Sequence, residues 1–185
     1  MTSRIMRRSM LATALGLTLG LLGAACGSKP KAEPTAPANP TTAASATATT
    51  SQAEEQARRE ILATYNGYLE AYIKASATAD YRTQELAQFV GEPLLGQLLN
   101  NLQNMSRSNV HNEGRPTWNP TVTELRLDAG QAVIQDCFDS TNWNAVGGKA
   151  QPTTQAKKYP VVVKAKRVNG KWYVYESTAQ RSATC

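Results

Sequence analysis

Asp136, the single histidine His111 and the cysteines Cys26, Cys137 and Cys185 are the side chains of this 185-residue sequence whose chemistry could go beyond packing. Asp136 shares one face of an alternating strand with Ala132, Ile134 and Phe138. An acid desolvated on such a face has its pKa raised and can act as a general base. The plainer expectation puts Asp136 near a strand end, reaching solvent or pairing with a nearby arginine. His111 falls in a polar stretch, 109–115, rich in turn formers, and is expected at the surface. The cysteines form no C-x-x-C pair and have no cluster of other ligands beside them, so neither a zinc site nor any other metal is expected. The sequence holds no serine-hydrolase elbow, phosphate loop or dinucleotide fingerprint, and no cofactor is implied.

Two groups of side chains suggest binding instead. Tyr65, Tyr68, Tyr72, Trp118, Trp143 and Trp172 could line a concave site for a lipid tail, a quinone or another apolar ligand, or they could simply fill the core. Lys157, Lys158, Lys164, Lys166, Arg167 and Lys171 gather on what reads as a hairpin. That patch could meet phospholipid headgroups or wall polymers. Lysines on an edge strand would equally guard against edge-to-edge pairing.

The cysteines are best read together with the N-terminus. Arg4, Arg7 and Arg8, the apolar run 10–22 and the small residues Gly23-Ala24-Ala25 converge on Cys26. A basic start, apolar middle and small-residue end describe a cleaved export signal, and the run is too short to span a bilayer, which takes about 20 residues. A cysteine directly after the cut is similar to a bacterial lipoprotein signal, in which residues 1–25 are removed and Cys26 carries a diacylglyceryl group. Two or more acyl chains, at about 0.8 kcal/mol per buried CH₂, hold stably. The leucine of the pattern stands one place early, at Leu22, and ordinary signal peptidase could also cut after Ala25. Arg7-Arg8 also resembles a twin-arginine start.

Removing Arg4, Arg7 and Arg8 lowers the net charge from +6 to +3, too mild a surplus to call for nucleic acid. With Cys26 acylated, Cys137 and Cys185 remain as one pair in an oxidising compartment. Their bridge would close a loop of about 48 residues, a constraint of about 4 kcal/mol in the chain-entropy model.

The elements that must position these residues come helices first. Residues 26–52, with Pro30, Pro34, Pro37 and Pro40 among Ala, Thr and Ser, read as a disordered tether with a reach of roughly 25 to 30 Å. From about Ala53 a 3.6-residue period puts Ile61, Tyr65, Tyr68, Leu69 and Tyr72 on one face of a long helix. Glu54 with Arg58 and Glu55 with Arg59 are i,i+4 pairs. A short helix over 85–90 and another opened by Pro93 follow. Residues 121–127, with Leu125 and Leu127 on one side, and 131–138 then read as strands joined by a turn at 128–130. Residues 159–168 and 171–178 flank Asn169-Gly170, a hairpin signal, and 140–156 reads as a long polar connection. Helices followed by antiparallel strands make the class α+β.

The domain over 53–185 resembles the nuclear transport factor 2-like, or SnoaL-like, fold, and more narrowly the small actinobacterial lipoproteins that carry it. The residues behind the resemblance are Gly114 with Pro116 and Pro120, the run Asp136-Cys137-Phe138-Asp139-Ser140 with Trp143, the Gly170-Lys171-Trp172 hairpin and Cys185. It implies a curved antiparallel sheet wrapped as a cone around the long helix, an apolar interior lined by Tyr65, Tyr68, Tyr72, Trp118, Asp136 and Trp143, and a Cys137 to Cys185 bridge. Such lipoproteins mostly have no assigned activity, and the fold alone does not settle one. The expectation is therefore a lipid-anchored, extracytoplasmic, non-catalytic binding or assembly module of the cell envelope. Its partners would be the membrane, through the anchor, and an apolar small molecule or an envelope protein, with no nucleic acid. The alternatives are a SnoaL-like isomerase or hydrolase using Asp136 as general base, and adhesion to anionic surfaces through the basic hairpin.

Overall fold

The structure, a computed structural model, describes residues 42–148 and 155–185. The export signal, Cys26 and the first part of the tether, up to residue 41, lie outside the described residues. All the described elements fall in one compact unit, Pro40–Cys185.

Helix α1 runs Thr42–Ser76, so it begins well before the Ala53 that hydrophobic period points to. Hydrophobic period marks only the part of a helix that packs, and the Ala-, Thr- and Ser-rich stretch ahead of Ala53 carries none to read. The packed part buries Ala57, Ile61, Tyr65, Tyr68 and Leu69 along one stripe. Glu55 and Arg59 do pair, at 3.8 Å and in the open. Arg58 instead donates from Nη1 to the carbonyl oxygen of Val122 at 2.7 Å, pinning the helix to the sheet. Gly67 leaves a notch in the helix: a Cβ there would lie 2.3 Å from the ring of Phe89.

A 3-10 turn, Leu86–Gln88, stands where the short helix is expected, and α2 follows over Leu94–Arg107 with Pro93 as its N-cap. Between them, Val90 forms a parallel bridge to Val174, with Gly91 N donating to Val174 O at 2.8 Å and Val174 N to Phe89 O at 2.9 Å.

Six strands follow: β1 His111–Gly114, β2 Thr121–Arg126, β3 Gln131–Asp139, β4 Trp143–Val146, β5 Lys158–Val168 and β6 Lys171–Ala179. The architecture is α+β. Strands β2-β3-β5-β6 make an open antiparallel sheet in that order, and β1 pairs with β4 as a separate ribbon. That ribbon corrects two readings, since 109–115 and 140–156 each contain a strand where a loop is expected. Both strands are only four residues long and carry no apolar alternation. Their pairing brings Gly114, at φ +83°, so close to Asn142 O that a Cβ would sit 1.9 Å from it.

One face of the sheet packs under α1. Ala132, Ile134, Asp136 and Phe138 of β3 are buried, as are Tyr159, Val161, Val163 and Ala165 of β5 and Trp172 and Val174 of β6. On β2 the register shifts between Val122 and Glu124, so Val122 faces Ile134 and Leu125 faces Ala132. The bulge breaks the simple alternation: Leu125 and Leu127 both pack against the core as expected, and Val122 joins them there as a buried residue. Asn169 at φ 50° and Gly170 at φ 83° close the second hairpin, where both central residues need positive φ. Strand β5 is interior, flanked by β3 and β6, so its lysines stand on the outer face of the sheet and do not guard an edge.

Cys137 of β3 and Cys185 are joined, with Cα atoms 5.9 Å apart and a sequence separation of 48. The bridge fastens the tail beyond β6 to the sheet, helped by Gln180 N donating to Pro160 O at 2.9 Å and Ala156 N to Arg181 O at 3.2 Å.

Candidate functional site

Helix α1 does not fill the whole inner face. Toward its C-terminal half, where Tyr65, Tyr68 and Tyr72 follow one another down the stripe, a cavity of about 140 Å³ remains between helix and sheet. Phe138 of β3, Trp143 of β4 and Tyr159 of β5 close it from below, Ser177 and Ala179 of β6 from the side, and Arg181 of the tail at its rim. The rings meet edge-on or tilted: Tyr72 and Phe138 lie 6.1 and 5.9 Å from Trp143, and Phe138 lies 5.7 Å from Tyr159. Such packing favours aromatic pairs. The Arg181 guanidinium sits 4.3 Å from the centre of the Tyr159 ring.

The hydroxyls around the cavity are held protonated. Burial pushes Tyr65 and Tyr68 well above the ordinary tyrosine range, Tyr65 also through the charge of Asp136. Burial raises Tyr72 to about 12, and Tyr159 is raised by the same cause, with the charge of Arg181 opposing in both. The cavity wall is therefore apolar, with neutral donors and one cation.

A second cavity, about 370 Å³, lies on the far side of Tyr72, Trp143 and Arg181, which border both spaces. Asn101 and Met105 of α2, Asn112 of β1, Ala145 of β4, Ser140 and Lys157 line it. Tyr72 donates to Asn101 Oδ1 at 2.9 Å, and Lys157 Nζ reaches Asn144 Oδ1 at 3.3 Å. Trp143 Nε1 is buried and has no hydrogen-bond partner.

Of the residues picked from sequence, Tyr65, Tyr68, Tyr72 and Trp143 come together at the inner cavity. Asp136 is buried but reaches neither solvent nor an arginine. It accepts from the Tyr65 hydroxyl at 2.8 Å and from Asn119 N at 2.7 Å, and it borders a different, polar groove beside Cys137 and Cys185. Trp118 is not at the cavity: its Nε1 donates to Asn66 Oδ1 at 2.8 Å, with Arg115 over its ring at 5.5 Å. Trp172 is core. His111 stands on β1, its side chain 40% exposed, 3.3 Å from Glu113. Sequence reasoning missed Tyr159, Ser177 and Arg181. Tyr159 carries a usable signal, sharing its strand parity with Val161 and Val163, whereas Arg181 carries none.

The basic residues of the second hairpin are spread along it and engaged one by one. Lys164 pairs with Glu176 at 2.9 Å, Lys166 and Lys171 stand 5.1 and 5.3 Å over Tyr175 and Tyr173, and Arg167 Nε donates to Gly170 O at 3.1 Å. Among the described residues no group of three or more His, Cys, Asp or Glu could hold a metal ion, and no helix is long and apolar enough to cross a membrane.

Fold and cavity together define an α+β domain with an aromatic pocket between its long helix and its sheet. The chain matches no family description and no curated protein. Among solved structures it is similar to the intermembrane space region of the chloroplast protein ARC6, at 11% identity and a TM-score of 0.47, over 66% of this chain and 95% of that one. It is also similar to a de novo designed protein with a curved β-sheet, at 14% identity and a TM-score of 0.26, over 46% and 62% of the two chains.

Proposed function

We propose that this chain is a lipid-anchored, extracytoplasmic, non-catalytic module of the cell envelope that holds a small apolar ligand between α1 and the sheet. The observation that carries the binding half is the aromatic cavity of about 140 Å³. An apolar cavity of that size elsewhere takes up benzene, so a single ring or a short stretch of chain fits it. The anchoring half rests on Arg4, Arg7 and Arg8, the apolar run and Gly23-Ala24-Ala25-Cys26. The finer fold assignment, a nuclear transport factor 2-like cone, belongs to the same reading. It is supported by the long first helix lying on an antiparallel sheet.

A binding role is favoured over general-base chemistry because Asp136 is engaged by two donors and lies off the cavity. Adhesion through the second hairpin is less favoured, since its lysines are met one at a time by Glu176 and tyrosine rings.

Expressed in bacteria, the wild-type chain is expected to partition into detergent and Cys26→Ser into the aqueous phase. Phenylacetamide, a water-soluble single-ring compound, titrated into the Cys26→Ser chain should give saturable heat that is lost when Ser177→Trp fills the cavity. Equal partitioning of the two chains would sink the anchor, and absence of binding would sink the pocket.

A further inference from the structure

Arg181 and Lys157 give the pocket a sign as well as a size. Both border the outer cavity, and Arg181 borders the inner one too. The lining of the two cavities contains no Asp or Glu. Arg181 has no carboxylate partner among the described residues. Its guanidinium sits 4.3 Å from the centre of the Tyr159 ring and also meets the Tyr159 hydroxyl, and with five N–H donors it keeps others for an acceptor. Lys157 is held near by the backbone: Ala156 N donates to Arg181 O, and Lys157 O accepts from Ser140 N and Oγ, both at 2.8 Å. Two cations lining one chamber whose walls hold no counter-charge favour an anion there. Inward from Arg181, past Tyr72 and Trp143, the wall is aromatic and excludes one.

We propose that the two cavities take a single ligand, a small anionic amphiphile, with an apolar end about one ring across in the inner pocket and a carboxylate or phosphate in the outer chamber between Arg181 and Lys157. This rests on the pocket reading above and adds the chemical class of its ligand. Trp143, which borders both spaces and whose Nε1 is buried without a partner, marks the boundary that the ligand crosses. The tail delivers Arg181 to this boundary, held by the Cys137 to Cys185 bond, so the disulfide acts as a positioning device for the site.

The test compares three probes on the Cys26→Ser chain by calorimetric titration: phenylacetate, its neutral isostere phenylacetamide, and phenyl phosphate. A hydrogen bond to a charged group should make phenylacetate bind about tenfold or more tighter than the amide. Arg181→Gln should remove that gap, bringing acid and amide to equal affinity, and Lys157→Gln should narrow it. Whichever of phenylacetate and phenyl phosphate binds tighter identifies the headgroup, and either ranking supports the proposal provided both exceed the amide. Should Arg181→Gln lose its cooperative melt, added salt takes its place, weakening the anions and sparing the amide. Equal affinity for acid and amide, or a gap that survives Arg181→Gln and salt, overturns the proposal and leaves the apolar pocket standing. If no ring compound binds, the pocket reading falls and this inference with it.

Discussion

Two acids stand on the same sheet with bonds of similar length and very different surroundings. Asp136, on the inner face, accepts from Tyr65 and Asn119 N at 2.8 and 2.7 Å and is 6% exposed. Glu176, on the outer face, meets Lys164 at 2.9 Å with both side chains nearly half exposed. Water competes for the outer pair and offsets almost all of its attraction, whereas nothing replaces the inner partners once one is removed. The distance of a polar contact therefore says little about its worth in this domain, and the face it lies on says most of it. The same division separates Lys164, Lys166 and Lys171, which meet Glu176 and tyrosine rings on the outer surface, from Arg181, which stands over Tyr159 at the lining of a cavity.

The widest separation of the two faces should come from Asp136→Ala, which leaves the buried Tyr65 hydroxyl without an acceptor at about 1–3 kcal/mol and also removes the acceptor of the part-buried Asn119 N–H. It is expected to lower the urea midpoint strongly, and an unchanged midpoint would mean that water replaces the carboxylate. Alkaline pH should act next. The folded pKa of Tyr72 lies above its unfolded value of 10.0, at about 12, so the unfolded chain releases this proton first. Stability is then fully present below pH 10 and falls as pH rises through about 12, by on the order of 2 kcal/mol from this residue. Urea unfolding at stepped pH should show that decline, shallower in Tyr72→Phe. The smallest effect belongs to the outer face: Glu176→Gln should leave the urea midpoint where it is. A clear loss there would place the outer pair on a par with the inner one and dissolve the comparison.

Much of the inner face was legible in the sequence because it obeys local periods. The alternation of Ala132, Ile134, Asp136 and Phe138 placed β3, helical spacing gathered Tyr65, Tyr68 and Tyr72, and Asn169-Gly170 closed its hairpin by φ alone. The Cys137 to Cys185 bond followed from counting thiols. What escaped was set by partners distant in the chain. Strands β1 and β4 exist only because they pair across the intervening 115–142 segment, and neither four-residue stretch carries a pattern of its own. Arg58 left its helical neighbour for the carbonyl of Val122, a choice that depends on where the sheet lies. Arg181 belongs to no periodic element, and only the disulfide and two backbone hydrogen bonds bring it to the pocket rim.

Gly67 costs α1 about 1 kcal/mol of helix propensity relative to alanine, and the ring of Phe89 occupies the space that a side chain there would need. The two positions are therefore not free to drift separately. A lineage that gained even a methyl group at 67 would have to shrink 89 at the same time, and one that lost the ring at 89 would be released to make α1 a better helix. Covariation between these two positions, a small residue at one with an aromatic at the other, is the trace this packing leaves in related sequences, and it offers a way to recognise the domain where overall identity has faded.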